Sequence, residues 1–277
     1  MPLKIPKELP AYSVLSNENI FVMDIERSMQ QDIRPLKIAI LNLMPLKIQT
    51  ENQLLRYLSN SPIQVEITLI NVKSHECKNT SNEHLDKFYT YFENIKVIPR
   101  ERFGVRTLFG VELNILDPEG HVDIEERLLP AMDICVASLH IPCYAPRSME
   151  ENTNAYIRAM ENPYVNIIGH PDDPRYPIDL KAVVEAAKEN HVILEMNNSS
   201  LAPTSFRKAT KEGYLEFLEL CQSYDQPIIM DSDAHVDIDV GNHCYVSEIL
   251  EEAQFPEHLI MNTDVEKVKP YLNYYRR

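Results

Sequence analysis

Five apolar runs in the last two-thirds of the chain each end in side chains that can bind a metal ion. The runs are TLFGVELNI with Glu112, MDICVASLH with His140, YVNIIGH with His170, HVILEMNNSS with Glu195, and PIIMDSDAH with Asp233 and His235. Successive endings are 28, 30, 25 and 38 residues apart, which is the length of a strand followed by a loop and a helix. The clearest intervening helix is DLKAVVEAAKEN, over 179–190. The repeat predicts an α/β fold of parallel βα units, arranged as a barrel or as a large open sheet.

The polar endings of these runs form a candidate metal site. In both architectures the carboxyl ends of the strands meet at one edge, where ligands bind. Imidazole and carboxylate groups suit Zn, Mn or Fe at a site with room for water. A single histidine after a strand is usually a capping or surface residue, but a series of five polar endings is hard to explain in this way. The predicted ligands are Glu112, His140, His170, Asp233 and His235.

Other polar residues of this part are assigned different roles. Glu195 either orders a ligand histidine through the ring nitrogen that does not bind the metal, or has a purely structural role. The remaining histidines show no comparable placement after a strand. We predict that they lie on the surface: His121, His191, His243 and His258.

The first hundred residues differ from the rest in charge and in glycine content. Residues 1–98 carry 11 basic and 11 acidic side chains, whereas residues 99–277 carry 16 basic and 31 acidic ones, which accounts for the whole net charge of −15. All six glycines follow residue 100. This asymmetry predicts two parts of different origin, 1–96 and 97–277, although chance in a glycine-poor chain would also produce it.

The N-terminal part has a βα pattern of its own. LKIAILNLM (36–44) and IQVEITLINV (63–72) have the length and character of strands, and IQTENQLLRYLSNS (48–61) between them has helical spacing. A strand, a helix and a strand in this order imply two parallel strands. A second helix is predicted over NTSNEHLDKFYTYFENI (79–95).

The overall composition limits the location and the partners. The acidic excess argues against nucleic acid, which needs a basic surface, but not against a small phosphorylated molecule, because a bound metal reverses the local sign of the field. No run approaches the roughly 18 apolar residues of a membrane span, and the N-terminus lacks the apolar segment of a signal peptide. Five cysteines without a CxxC motif fit a reduced compartment. These features predict a cytoplasmic protein that binds neither nucleic acid nor membrane.

Residues from about 93 to 277 resemble the C-terminal two-thirds of the PHP family (polymerase and histidinol phosphatase), in its small phosphatase-like branch. The matching strings are VIPRERFGVRTLFGVELNILDPEG, ASLHIPCYAP, NIIGHPDDPRYPIDLKAVVEAA, LEMNNSS and DSDAH. The resemblance implies a (β/α)7 barrel, a cluster of up to three metal ions, and hydrolysis of a phosphate monoester of a small substrate.

The resemblance also assigns the ligands to separate ions. Glu112, His140 and His170 match the ligands of one metal, and Glu112 also bridges to a second metal that Asp233 helps to bind. His235 matches a ligand of the third. The family begins with a strand that carries an HxH pair, followed by further histidines, and nothing in residues 1–98 matches these. We therefore expect one complete metal site and a weaker second one.

Residues 1–96 resemble a different family, the homoserine O-acyltransferases (O-succinyl or O-acetyl) of methionine biosynthesis. The matching strings are ELPAYSVLSNENIFVM, IRPLKIAILNLMPLKIQTENQLLRYLSNSPIQV and NTSNEHLDKFYTYFENI. This resemblance implies a glutamine-amidotransferase-like, flavodoxin-like βαβα segment, acyl transfer from acyl-CoA through a cysteine, and a homodimer. Lys47 falls in the substrate-side loop of that family, although a solvated lysine before a helix is an equally good explanation.

The chemistry of the acyltransferase family lies beyond the matching part. Its nucleophilic cysteine stands in a glycine-flanked turn, because a sharp turn from strand to helix needs the freedom of glycine. Cys77, Cys135 and Cys143 have no such surroundings.

The leading interpretation is a metal-dependent phosphoesterase of PHP type joined to a foreign N-terminal segment near FENIK (92–96). The alternatives are a homoserine O-acyltransferase, or an inactive fusion that only binds metal. Two βα units from residues 36–96 and five later ones make the seven of the family's barrel. Strands 37–43 and 64–71 are therefore expected beside the strand of Glu112.

Overall fold

A computed structural model describes residues 38–43, 67–73, 92–102, 105–234, 239 and 241–277, with only the backbone at 38–43, 67–73, Arg102 and Val105. Several predictions concern residues outside these ranges. They are the helix 48–61, most of the helix 79–95, Lys47, Cys77 and His235.

The described strands form one sheet. They are β1 Ile38–Leu43, β2 Ile67–Lys73, β3 Glu101–Arg102, β4 Val105–Asn114, β5 Ile134–Ser138, β6 Ile167–Ile168, β7 Ile193–Asn197 and β8 Ile228–Asp231. The order is β1-β2-β4-β5-β6-β7-β8, and all neighbours in this order are parallel. The short β3 pairs antiparallel with the start of β4. The predicted α/β fold with parallel strands is confirmed.

The two N-terminal strands continue this sheet. β2 pairs with β4 from Ile67 opposite Arg106 to Lys73 opposite Glu112, and β1 pairs with the other edge of β2. The prediction that these strands join the sheet beside the strand of Glu112 is confirmed for β2, which is its direct neighbour, and β1 lies one strand further out.

A 3₁₀ helix, Glu126–Ala131, connects β4 to β5, and from β5 onward each strand is followed by α-helices. They are α1 Met149–Met160, α2 Leu180–Glu189, α3 Lys211–Ser223, α4 Cys244–Glu252, α5 Val265–Val268 and α6 Asn273–Arg276. The predicted helix 179–190 is α2, which Asp179 caps by accepting a hydrogen bond from the amide of Ala182. Its buried face includes Val183, Val184 and Ala187, as its spacing predicts. None of the described helices combines the length and the apolar character of a membrane-spanning segment.

Alternation along the strands divides the apolar residues between the two faces of the curled sheet. Phe109, Val111 and Leu113 of β4 belong to the large core beneath the helices, whereas Leu108 belongs to a smaller core on the other face. Val265, Val268 and Leu272 from the C-terminal segment pack into the smaller core. Because side chains alternate along a strand, Glu112 shares the inner face with Leu108. Cα atoms of β1 and β8 approach within 8 Å, which shows how strongly the sheet curls.

A buried ion pair ties the segment before β4 to the base of the sheet. Asp133, which is completely buried, accepts hydrogen bonds from Arg100 Nε at 2.5 Å, from Arg100 Nη2 at 3.2 Å and from the amide of Phe109 at 2.8 Å. Arg100 also donates to the carbonyls of Ile95 at 2.7 Å and Ile98 at 2.5 Å. One guanidinium therefore fixes the entry of the chain into β4.

The thiols depart in part from the expectation of a fully reduced set. Cys135, Cys221 and Cys244 are free, but Cys143 is disulfide-bonded. Burial raises the pKa values of the Cys135 and Cys221 thiols well above their ordinary range, so both behave as inert core residues.

The prediction of surface positions is correct for His121, His191 and His258 but wrong for His243. His243 precedes α4 and its ring is completely buried beside the main chain of Gly241 and Met230. Burial lowers its pKa to about 4. A single histidine in a loop gives no periodic signal, so its burial was not visible in the sequence.

The buried state of His243 predicts a stability that depends on pH. The unfolded chain protonates this residue near pH 6.5 and the folded chain only near pH 4, so between these values the unfolded state holds more protons. The contribution is fully present above pH 6.5 and is lost as the pH falls toward 4. We expect the wild type to lose about 2 kcal/mol more than His243→Gln between pH 7 and pH 5.

Urea unfolding of both proteins at pH 5, 7 and 8.5 measures this difference, because other titrating groups contribute equally to the two proteins. From pH 7 to 8.5 the two proteins should respond alike, which serves as the internal control. Parallel curves down to pH 5 would contradict the prediction.

Candidate metal centre

Three of the predicted ligands converge at the carboxyl ends of β4, β5 and β6. Glu112 Oε1 lies 3.2 Å from His140 Nε2 and 3.7 Å from His170 Nε2, and the two Nε2 atoms are 3.3 Å apart. Ligand atoms about 2.0–2.1 Å from a tetrahedral ion lie about 3.3–3.4 Å from one another. The three side chains therefore have the spacing that one divalent ion requires.

His140 is oriented by a pair of side chains from β4 and the loop after it. Its Nδ1 lies 2.7 Å from Asn114 Oδ1, and Asn114 Nδ2 donates to Asp123 Oδ2 at 2.6 Å. The amide group of Asn114 is thereby turned so that its oxygen accepts from the imidazole N–H. This leaves the lone pair on Nε2, facing Glu112 and His170. Asn114 was not among the predicted site residues, although its position two residues after Glu112 places it on the same face of the strand.

His170 follows β6 in a left-handed backbone conformation, with φ of 34°. Its amide donates to Glu195 Oε2 at 2.5 Å, so Glu195 holds the main chain of this histidine. Of the two roles considered for Glu195, this main-chain contact is of the structural kind, and the Nδ1 atom of the buried His170 has no hydrogen-bond partner among the described residues. Burial, together with the charge of Arg207, lowers the pKa of His170 to about 4. The ring is therefore neutral at pH 7, which is the form that binds metal.

Gly169 lets β6 approach β5 closely just before His170. A Cβ atom at this position would lie 2.2 Å from Ser138 Oγ and 3.1 Å from Val136 Cγ1. Any larger residue would push β6 away from β5 and move His170 relative to His140.

Glu195 and Asp231 form a buried acidic pair beneath the cluster. Their carboxyl groups are close to each other, and burial, followed by the neighbouring negative charge, raises the pKa of Asp231, while burial is also the main cause that raises the pKa of Glu195. Asp231 Oδ1 also accepts a hydrogen bond from the amide of Asp233 at 3.0 Å. The pair thus supports the backbone at His170 and at Asp233 from below.

Asp233 lies close to the cluster but is not one of its three members. Its Oδ2 atom accepts hydrogen bonds from Arg207 Nη1 at 2.9 Å and from Ser199 Oγ at 3.2 Å. The described part of the chain contains only one group of three side chains that could hold a metal ion, namely Glu112, His140 and His170. Arg207 was not among the predicted site residues, because an arginine in a loop is usually exposed.

A site with three protein ligands keeps a position for water or substrate. Here the ligands are one carboxylate and two neutral imidazoles, which suits Zn, Mn or Fe. His140 is half-buried whereas Glu112 and His170 are buried, so the cluster is reached from the side of His140. This arrangement is suited to hydrolysis assisted by a metal ion.

The comparisons with known proteins give three kinds of match. A family model described as homoserine O-succinyltransferase matches residues 2–117, which is less than half of the chain and extends past the predicted join at 92–96. The match supports the predicted N-terminal resemblance and does not locate a join.

The second kind consists of curated relatives named probable phosphatase. One from Clostridium novyi is 43% identical over 182 residues, which cover 66% of this chain and 74% of the relative. One from Caldanaerobacter subterraneus is 44% identical over 188 residues, which cover 68% of this chain and 73% of the relative. One from Thermoanaerobacter is 42% identical over 212 residues, which cover 76% of this chain and 84% of the relative.

Solved structures resemble the chain more distantly. A histidinol phosphate phosphatase from Lactococcus lactis, complexed with zinc, L-histidinol and phosphate, has a TM-score of 0.49 and 13% identity and covers 79% of this chain and 94% of its own. A likeness at this level carries no argument about function. The curated relatives are far more similar in sequence and match most of their own length. The chain belongs to the family of these probable phosphatases.

Proposed function

We propose that this protein is a metal-dependent phosphoesterase of PHP type that hydrolyses a phosphate monoester of a small substrate. The observation that carries the proposal is the convergence of Glu112, His140 and His170 at the mutual distances of a single coordination shell. Membership of a family of probable phosphatases agrees with this chemistry. We further propose that the parallel strands, from β1 to β8, form the (β/α)7 barrel of PHP proteins.

In the proposed mechanism Glu112, His140 and His170 would hold one Zn, Mn or Fe ion. When bound, the ion would supply a nucleophilic water at neutral pH and positive charge beside the phosphoryl oxygens. Asn114 keeps the Nε2 lone pair of His140 directed at the site. His170 stays neutral because it is buried, and Glu195 fixes its backbone.

Metal analysis and hydrolysis of p-nitrophenyl phosphate test this function. We expect the purified protein to bind one divalent ion per chain and to turn over with added Mn or Zn. A chelator should abolish turnover, and the ion should restore it. Bound metal without turnover would favour a protein that only binds metal, and the absence of both would refute the proposal.

Homoserine O-acyltransferase activity is the second candidate, because the family model of that enzyme matches residues 2–117. Acyl transfer through cysteine needs an accessible thiol with a lowered pKa. In the described part of the chain, burial instead raises the pKa values of Cys135, Cys221 and Cys244, and Cys143 is disulfide-bonded. We expect no homoserine-dependent consumption of succinyl-CoA or acetyl-CoA, and measurable consumption would support the second candidate.

A further inference from the structure

The carboxylate of Asp233 is already paired with a positive charge from the protein itself. We propose that the guanidinium of Arg207 takes the place of a second metal ion, so that the site works with one divalent ion and one arginine. This inference rests on the proposed phosphoesterase function. It concerns the side of the site that contains Asp233 and Arg207, next to the cluster of Glu112, His140 and His170.

The contacts of Arg207 are those of a built-in counterion. Its Nη1 donates to Asp233 Oδ2 at 2.9 Å and lies 3.4 Å from Ser199 Oγ. Its Nε lies 3.9 Å from Asp173 Oδ2. Arg207 and Asp233 are each only 3% exposed, and Asp173 is 1% exposed. A buried guanidinium bound to carboxylates at these distances is fixed in place rather than solvated.

The charge on Arg207 is maintained by the acidic groups around it. Burial opposes a charged guanidinium, but the carboxylates of Asp233, Glu195 and Glu112 outweigh this effect and raise the pKa of Arg207 above its ordinary value. The arginine therefore brings a permanent positive charge to a cluster of carboxylates. In a site with two metal ions, the second ion would have this task.

A second ion does not fit the described side chains. The only group of three metal-binding side chains within the described ranges is Glu112, His140 and His170. An ion on Asp233 would have to displace Arg207 or lie against its positive charge, and like charges at contact distance repel strongly. Residues 1–98 contain no HxH pair that could offset this repulsion.

One donor of Arg207 remains available for an anion. Its Nε is buried, lies 3.9 Å from Asp173 Oδ2, which is too far for a hydrogen bond, and has no hydrogen-bond partner among the described residues. A buried N–H without an acceptor is unfavourable in a purely structural role, because it loses its bond to water and gains none in return. A phosphoryl oxygen of the substrate would accept a hydrogen bond from this Nε. In a site with two metal ions, the same oxygen would bind the second ion instead.

The number of metal ions per chain is the first test. The full-length protein is incubated with excess MnCl2, freed of unbound metal by gel filtration and analysed by mass spectrometry. We expect one Mn per chain in the wild type and in Asp233→Asn. Two or more ions per wild-type chain would overturn this inference and leave the phosphoesterase proposal intact, whereas no bound ion would overturn the phosphoesterase proposal itself.

Binding of inorganic phosphate to the Mn-loaded protein is the second test, measured by titration calorimetry. We expect Arg207→Gln to weaken phosphate binding about 10- to 100-fold, since a charge-assisted hydrogen bond is lost. Arg207→Lys should lie between this variant and the wild type, because lysine keeps the charge but not the planar fork. Both variants should still bind the first Mn at Glu112, His140 and His170.

The matched control is Arg158→Gln, which removes an exposed arginine of α1 that is paired with Glu161 just beyond the helix. It should bind phosphate like the wild type. Arg207→Gln leaves buried carboxylates without their counterion, so circular dichroism must establish that it is folded. If it is not, Arg207→Lys and the wild-type metal count decide the question. Phosphate affinity of a folded Arg207→Gln or Arg207→Lys within threefold of the wild type would overturn the inference.

Discussion

Replacing His170 with alanine is expected to strip the metal from the protein and to abolish its phosphatase turnover. The buried ring would supply one of the three proposed ligand atoms, and its Nε2 lies 3.7 Å from Glu112 Oε1 and 3.3 Å from His140 Nε2. Loss of a group that merely supports a ligand weakens metal binding about 10- to 100-fold. Loss of the ligand itself should therefore exceed about 100-fold, since only two protein ligands remain.

Competition with a chromogenic chelator measures the affinity for Zn or Mn, and hydrolysis of p-nitrophenyl phosphate measures turnover. His191→Ala is a suitable control, because His191 is exposed and lies before β7, at the end of the strand opposite to the site. Its ring stacks on that of Tyr271, with the ring centroids 3.9 Å apart. The control should bind metal and turn over like the wild type. Full metal content in His170→Ala, with turnover within twofold of the wild type, would contradict the assignment of the site.

Replacing Asp133 with alanine is expected to lower the free energy of unfolding by about 3–5 kcal/mol. The change leaves Arg100 without its two hydrogen bonds to a carboxylate and the buried amide of Phe109 without its acceptor. In a protein of this size the loss corresponds to a fall in melting temperature of roughly 10 °C. Urea unfolding and a thermal scan, both with metal present, measure it.

Asp133→Asn keeps an acceptor for Phe109 and should cost less, about 1–3 kcal/mol. Arg127→Ala is the control on the surface, because Arg127 forms exposed ion pairs with Glu93 and Glu125. It should change stability little, since exposed pairs contribute little. An effect of Asp133→Ala no larger than that of Arg127→Ala would show that the buried network does not hold β4 in place.

The periodic features of the chain were visible in the sequence. The apolar runs at βα spacing predicted the parallel strands, and the strand ends predicted the convergence of Glu112, His140 and His170. Both follow from repeating geometry, in which the carboxyl ends of successive strands meet at one edge. Asn114 could also have been predicted, because it is two residues from Glu112 on one strand and therefore lies on the same face.

Features that depend on single contacts were not visible. Arg207 lies in a loop after β7, and its burial depends on how that loop folds back over Asp233. The bond from Glu195 to the amide of His170 depends on the positive φ of His170, which no spacing rule predicts for a histidine. His243 is buried by the packing of the segment before α4.

The pairing of β2 with β4 has a consequence for the solubility of the protein. β2 covers one side of β4 from Arg106 to Glu112, so it satisfies main-chain groups that would otherwise lie open along that side. A shortened polypeptide that began at residue 92 would expose these main-chain groups of β4. An exposed edge strand tends to pair with strands of other molecules. The N-terminal segment that contains β2 is therefore expected to protect this edge of β4 from intermolecular strand pairing and aggregation.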